Sequence, residues 1–259
     1  LFPTSLDSNS DQINKKGGCT IVSGSQFVAC PLWTYPDLLW GGGCDLASAW
    51  FESVSGFTTT GATALSNVEA LPRGLLFWRS ATHWLGGVGV VMFVLVILPT
   101  LGRTKMTLYS VELSPLARDN YKYRSQKIIQ ILLSLYVGMT LLQAILLMAA
   151  GMDWFDAVNH SFSTIATGGF STKNTSIAYF DSVWIEAITM FFMAMAGIHF
   201  GLIFATITGK HNNIFRSEIA RFYIATVLIA GLLISMNLFF ANYYPTFGES
   251  LRYGMFQSI

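Results

Sequence analysis

Four long runs of the chain carry no Asp, Glu, Lys or Arg: Trp84–Leu101, Ile128–Met152, Ala187–Thr208 and Phe222–Thr246. Each reaches the ~20 residues that a helix needs to cross a bilayer. In hydrocarbon no water satisfies backbone N–H and C=O groups, so runs of this length are read as helices. The first span opens at Gly74 with a polar lead that includes Arg79 and His83, and His199 lies inside the third run. Composition agrees. Hydrophobic residues make up 53% and charged residues 11%, against about 25% charged in a soluble domain. Mean hydropathy is +0.51. The chain is read as an all-α integral membrane protein with membrane lipid as its surroundings. A net charge of +1, without a basic stripe interleaved with aromatics, gives no reason to expect a nucleic-acid partner.

Between the spans lie stretches too short to cross. Ala47–Ser66 reads ASAWFESVSGFTTTGATALS. A brief apolar run, Ala47–Phe57, is followed by Thr58, Thr59, Thr60, Gly61, Ala62 and Thr63. Asp153–Thr172 repeats it as DWFDAVNHSFSTIATGGFST. Aligning Gly61 with Gly169 pairs Asp45 with Asp153, Ala49 with Ala157, Ser53 with Ser161, Ser55 with Ser163 and Thr59 with Thr167. Gly254–Ile259 falls in the same frame, with Ser258 on Ser53, and the chain stops before its own expected glycine. A half-length helix followed by a carbonyl-rich, glycine-containing return loop is how a protein replaces the water around an ion with backbone oxygens. Loops at membrane depth are tolerated where they line a cavity or lie within protein. Helices are expected over Ser48–Phe57 and Phe155–Ile165. The candidate ion-binding residues are Thr59, Thr60, Gly61 and Ala62 in one strand, and Thr167, Gly168, Gly169 and Phe170 in the other. As repeat equivalents, Gly61 and Gly169 are expected to respond alike to substitution.

The domain reading follows. Residues 1–46 are a lead-in interrupted by Pro31 and Pro36. Residues 47–101 form a first repeat, and 102–127 a cytoplasmic connection. Residues 128–208 form a second repeat, 209–221 a second cytoplasmic connection, and 222–259 the start of a third. The connections hold Arg103, Lys105, Arg118, Lys122, Arg124 and Lys127, then Lys210, Arg216 and Arg221. The opposite side has Arg73, Lys173 and Arg252. The positive-inside rule therefore puts the connections in the cytoplasm and opens the loops to the outside. The absence of an initiator Met suggests a partial chain.

Other side chains favour plainer readings. Cys19, Cys30 and Cys44 lack metal-site spacing and are odd in number. His83, His160, His199 and His211 form no ligand set, so no metal and no cofactor is expected. Gly86, Gly87, Gly89, Gly197 and Gly201 are read as close helix packing. Glu52 and Glu186 are read as solvated carboxylates near the outer mouth. An intramembrane serine hydrolase would need Ser55 or Ser161 opposite a His on a facing helix. The recurrence of the serines in both copies favours packing.

FESVSGFTTTGAT, FWRSATHWLGGVGVVMFVLVILP and HSFSTIATGGFST resemble the membrane subunits of Trk-type potassium uptake systems, the TrkH/TrkG proteins of the Trk/Ktr/HKT superfamily. The likeness is read from about Ala47 onward, with LPTLGRTKMTLY joining the two loop strings. It implies four span–re-entrant pore helix–filter–span repeats around one pore, of which about two are present here. It implies potassium ion as the substrate, in the bacterial inner membrane. It also implies a homodimer with a cytosolic nucleotide-binding, TrkA-like regulator. Gly61 and Gly169 match the filter glycines of the first two repeats, and the other six candidates are their neighbours. The lead-in departs from the expected first span, the third filter and fourth repeat are missing, and His199 stands where many relatives have Asn. A pore that also passes sodium is the alternative within transport.

Overall fold

The computed structural model describes Thr34 and residues 45–106, 115–198, 200–207 and 214–259, with the side chains at 90–128 and 205 left out. Among the described residues the regular structure is helical. The lead-in apart from Thr34, Asp45 and Leu46, the three cysteines, His199 and His211 lie outside them. So does the whole stretch from 208 to 213.

Helix α1 spans Leu46–Phe57 and α4 spans Trp154–Ile165, each 12 residues. At 1.5 Å per residue each is about 18 Å long, little over half of a ~30 Å hydrocarbon layer. Both start on an aspartate. Asp45 accepts from Ser48 N, and Asp153 accepts from Phe155 N. Such caps satisfy N–H groups that the first turn leaves free. Hydrogen bonds from the Ser48 side chain and backbone hold the Asp45 carboxyl below the usual carboxylate range. Both helices also end in one way, on a left-handed threonine described below.

The long helices are α2 (Arg73–Met106), α3 (Pro115–Ala149) and α7 (Glu218–Phe240). Ile129–Ala149 and Glu218–Phe240 are long and apolar enough to cross a membrane, each with a mean hydropathy of 2.1. Helix α2 runs past Leu101 and α3 begins at Pro115, so the connection expected over 102–127 is helical at both ends. Lys and Arg are good helix formers, so a span can continue beyond the apolar run that marks it. Pro115 suits the first helical position, where no N–H is needed. Gly151, at φ +98°, ends α3, and the N–H groups of Gly151 and Met152 return to Met148 and Leu147.

The run read as one span over 187–208 is divided. Helix α5 covers Val183–Ala196 and α6 covers Phe200–Ile207, with Gly197 as the cap between them. A Cβ at Gly197 would fall on the Tyr223 hydroxyl of α7, so the break sits where another helix packs close. Helix α8, Phe247–Ser258, is capped by Thr246. That is one turn earlier than the repeat frame, which puts Ser250 on Asp45.

Helix α2 lies against α1 and α4, while α3 lies against α4, α5 and α6, and α7 pairs with α8. Among the described residues the largest buried cluster gathers Tyr136, Met139, Ile165, Phe192, Ile198 and Ile203 with Ile214 and Ala220, where α3 to α7 meet. Small residues on α2 allow the approach. A Cβ at Gly86 would strike the Phe57 carbonyl at the end of α1, and one at Gly87 would meet Ala166 at the end of α4 and the Tyr136 hydroxyl. The reading of these two glycines as close packing is thereby explained, whereas Gly89 faces open space. Helix α7 turns Ile219, Phe222, Ile229, Leu233 and Phe240 outward, exposed apolar side chains suited to lipid.

Candidate functional site

The site grows out of the C-terminal ends of α1 and α4, which close with matching hydrogen bonds. Thr58 N, Thr59 N and Thr60 N donate to Val54 O, Gly56 O and Ser55 O. Ala166 N, Thr167 N and Gly168 N donate to Phe162 O, Thr164 O and Ser163 O, the same residues in the repeat frame. Thr59 and Thr167 hold φ of 56° and 55°. A β-branched residue in this left-handed region is uncommon and costs roughly 1–3 kcal/mol, so the surrounding contacts fix it. Two residues on, Gly61 and Gly169 hold φ of +77° and +100°. Both strands thus leave their helices through two positive-φ positions.

The strands lie side by side. A Cβ on Gly61 would clash with the carbonyl oxygen of Gly168. One on Gly169 would meet nothing within 4 Å. Thr60, Ala62, Thr167 and Gly169 are exposed, Thr59, Gly61 and Gly168 are half-buried, and Phe170 is buried. The structure therefore gathers all eight candidates, with two qualifications. The Ala62 carbonyl accepts from Ser55 Oγ at 2.6 Å, which turns it back toward its helix. The Phe170 side chain packs inward. A cavity of about 360 Å³ adjoins the second strand, lined by Thr167, Gly168, Gly169, Thr189, Tyr223 and Phe256 among others.

Each outgoing strand is tied to its helix at one repeat-equivalent pair. In the first copy Thr63 Oγ1 donates to Glu52 Oε1 at 2.5 Å, and Thr63 Oγ1 accepts from Leu65 N at 3.2 Å. In the second, His160 Nε2 and Ser171 Oγ are 2.9 Å apart, and Ser171 Oγ accepts from Lys173 N at 3.0 Å. Glu52 and His160 occupy the same repeat position, so one tie is kept with different chemistry. The loops that follow the two strands are joined as well: Asn174 Oδ1 accepts from Val68 N at 2.8 Å, and Asn174 N donates to Glu69 Oε1 at 3.0 Å.

Two carboxylates read as solvated are not. Glu52 is 4% exposed and receives both Nε and Nη2 of Arg79 at 3.1 Å, with Ala64 N at 2.6 Å. Glu186 is also buried, and Arg252 of α8 donates to it from Nε at 2.6 Å and Nη2 at 2.7 Å. An unpaired charge at such depth is too costly to persist, so an acidic residue in an apolar context requires a cation. That requirement was the signal in the sequence. Arg79, in the polar lead of an apolar helix, was the available partner that the sequence reading left unassigned.

Arg79 and His83 sit one turn apart on α2, both against Phe170. The guanidinium carbon is 4.1 Å from the ring centroid, and the imidazole stacks at 4.0 Å and 13°. His83 Nδ1 lies 3.0 Å from Ser163 Oγ, and that hydroxyl oxygen accepts from Gly169 N at 2.9 Å. This is a Ser–His pair on facing helices, the juxtaposition a hydrolase needs. Here the serine oxygen is buried and engaged with the strand backbone, and it holds Gly169 in place. Among the described residues no group of three or more His, Cys, Asp or Glu is gathered to hold a metal.

The helical fold and its long apolar spans define a helical membrane protein. A family model described as TrkH, cation transport protein, matches residues 7–234, and the chain belongs to that family. The match takes in much of the lead-in over 1–46, so the family likeness begins well before Ala47, where the motif strings start, although this lead-in departs from the expected first span. The Trk system potassium uptake protein TrkH of Halomonas elongata is 40% identical over 213 residues, covering 81% of this chain and 44% of that protein. TrkH of Escherichia coli K12 is 38% identical over 216 residues, covering 83% and 45%. The crystal structure of the potassium transporter TrkH from Vibrio parahaemolyticus superposes with a TM-score of 0.82 at 29% identity, over 97% of this chain and 51% of that one. The chain spans about half the length of these relatives. A transporter family does not favour the hydrolase alternative.

Proposed function

We propose that the chain forms part of a potassium uptake pore in which Thr59–Ala62 and Thr167–Phe170 are two strands of the ion filter. The observation that carries this reading is the pair of half-length helices ending in equivalent positive-φ turns, with their strands side by side. Potassium as the ion is suggested by what the relatives are named for. On this reading α1 and α4 are re-entrant pore helices, and their C-terminal ends point toward the ion path. The negative end of a helix dipole favours a nearby cation by ~0.3–1 kcal/mol. Backbone carbonyls at Thr59, Thr60, Thr167 and Gly168 take the place of hydration oxygens, and their number and spacing select among ions.

The distribution of Lys and Arg supports cytoplasmic placement of the 102–127 and 209–221 connections, with filters opening outward in the inner membrane. The family likeness supports repeats bounded near 47–101, 128–208 and 222 onward, a homodimer and a TrkA-like cytosolic regulator. The experiment is potassium uptake by the complete protein in cells lacking their own uptake systems. Growth restored at low potassium, and lost on substitution of the filter glycines, supports the reading. Uptake of sodium equal to potassium would favour the alternative of a non-discriminating cation pore.

A further inference from the structure

We propose that Glu52 and Arg79 are positioning residues that couple the two filter strands across the repeat boundary. Through them, residues of the first repeat set the geometry that selects ions at the second. The inference rests on the filter reading above.

The connection is continuous. The first strand leaves its filter through Thr63 and Ala64, and both hydrogen-bond to one oxygen of Glu52, Oε1. The other oxygen, Oε2, takes two hydrogen bonds from Arg79. Arg79 Nη2 also donates to Thr63 Oγ1 at 3.3 Å, closing the ring. The guanidinium plane then covers Phe170, the residue after Gly169 in the second strand. His83 stacks on the same phenylalanine and stands beside Ser163, which accepts from Gly169 N. A side chain on Gly168 would run into the His83 ring, so this strand is seated directly on α2.

Ion pairs that serve stability alone are seldom buried, because burial costs more than the pairing returns unless further hydrogen bonds are made. This pair is buried between two ion-facing strands and contacts each. The first strand has Ala62 where the second has Phe170, so no equivalent ring anchors the first strand. Charge and hydrogen bonding from Glu52 hold the first strand, and the aromatic face holds the second. Arg79 is the group common to both. A guanidinium fits this role because it is planar, keeps its charge and offers a fork to the carboxylate while stacking on a ring, which an ammonium cannot do together.

The test is a double-mutant cycle on the potassium-to-sodium uptake ratio of the complete protein, at matched membrane amounts, with Glu52→Gln and Phe170→Leu. Glu52→Gln keeps an oxygen for Thr63 and Ala64 but removes the charge that orients Arg79. The expected result is that each single change lowers the ratio and that the double variant is no worse than the poorer single. That corresponds to a coupling of about two- to tenfold, within the range for residues in one network. Arg79→Lys, which retains the charge without the planar fork, should accumulate and still lose selectivity. If Arg79→Lys fails to accumulate, the cycle alone decides. Multiplicative effects in the cycle, or a wild-type ratio for Glu52→Gln, would overturn the coupling. Gly169→Ser measured in parallel separates the two ideas. A lowered ratio there beside a multiplicative cycle rejects the coupling alone, and an unchanged ratio rejects the filter reading with it.

Discussion

Gly61 and Gly169 occupy the same repeat position, and sequence alone expects them to behave alike. The structure separates them. At Gly169, with φ of +100°, an added Cβ meets nothing within 4 Å. Gly169→Ala therefore carries only backbone strain, about 1–2 kcal/mol for an L-residue in a left-handed conformation. At Gly61 the same strain applies at φ +77°, and the Cβ also falls on the Gly168 carbonyl, a backbone atom of the neighbouring strand. Backbone cannot swing aside as the end of a side chain can. Relieving such an overlap costs roughly 1–3 kcal/mol more, so Gly61→Ala totals about 2–5 kcal/mol. Against a typical stability of ~5–15 kcal/mol, the first change is tolerated and the second is severe. Both complete variants should be purified in detergent and compared by thermal midpoint and by recovered monodisperse protein. Gly169→Ala should stay near wild type while Gly61→Ala falls clearly below it. Equal losses, or a greater loss at Gly169, would refute the side-by-side placement of the strands.

Arg79→Met leaves Glu52 charged and buried without its cation, so it should destabilise by about 3–5 kcal/mol, read as a large drop in thermal midpoint. Lys173→Met removes a partly exposed pair with Asp156 at 3.7 Å and should change stability by less than ~1 kcal/mol. Asp153→Ala removes the α4 cap and should cost about 0.5–2 kcal/mol in the same assay. For orientation, a cysteine placed at Ser176 should react with an impermeant reagent added outside the cell, and one placed at Arg118 should not. The reverse pattern would invert the topology.

Much of this architecture was legible because the bilayer simplifies the chain. Long uncharged runs have few alternatives to helix, and the half-length helices were readable from the repeat. The observed α1 and α4 begin within two residues of the expected starts and end at the expected Phe57 and Ile165. Hydropathy could not find the break at Gly197, because the run stays apolar through it and the Tyr223 hydroxyl packed there comes from another helix. Nor could it place the extra helix before Ile128, since charged residues propagate a helix without marking a membrane. Within the site, backbone features repeated and were visible in sequence: the aspartate caps, the threonine turns and the glycines. The side-chain bracing kept one position but not its chemistry. Glu52 and His160 share a position but differ in chemistry, and only the first recruits an arginine from α2. Pairings across 27 residues, as between Glu52 and Arg79, depend on how helices pack and leave no periodic signal.

The most direct test of the filter assignment compares Gly169→Ser with Gly197→Ser in the complete protein, measuring the potassium-to-sodium uptake ratio at equal membrane amounts. Gly169 lies in the strand with its added side chain directed into open space, and Gly197 lies against Tyr223 at a helix break. Gly169→Ser should lower the ratio with near-normal expression. Gly197→Ser should alter expression and leave the ratio intact. An unchanged ratio for Gly169→Ser, or one phenotype shared by both variants, would contradict the account.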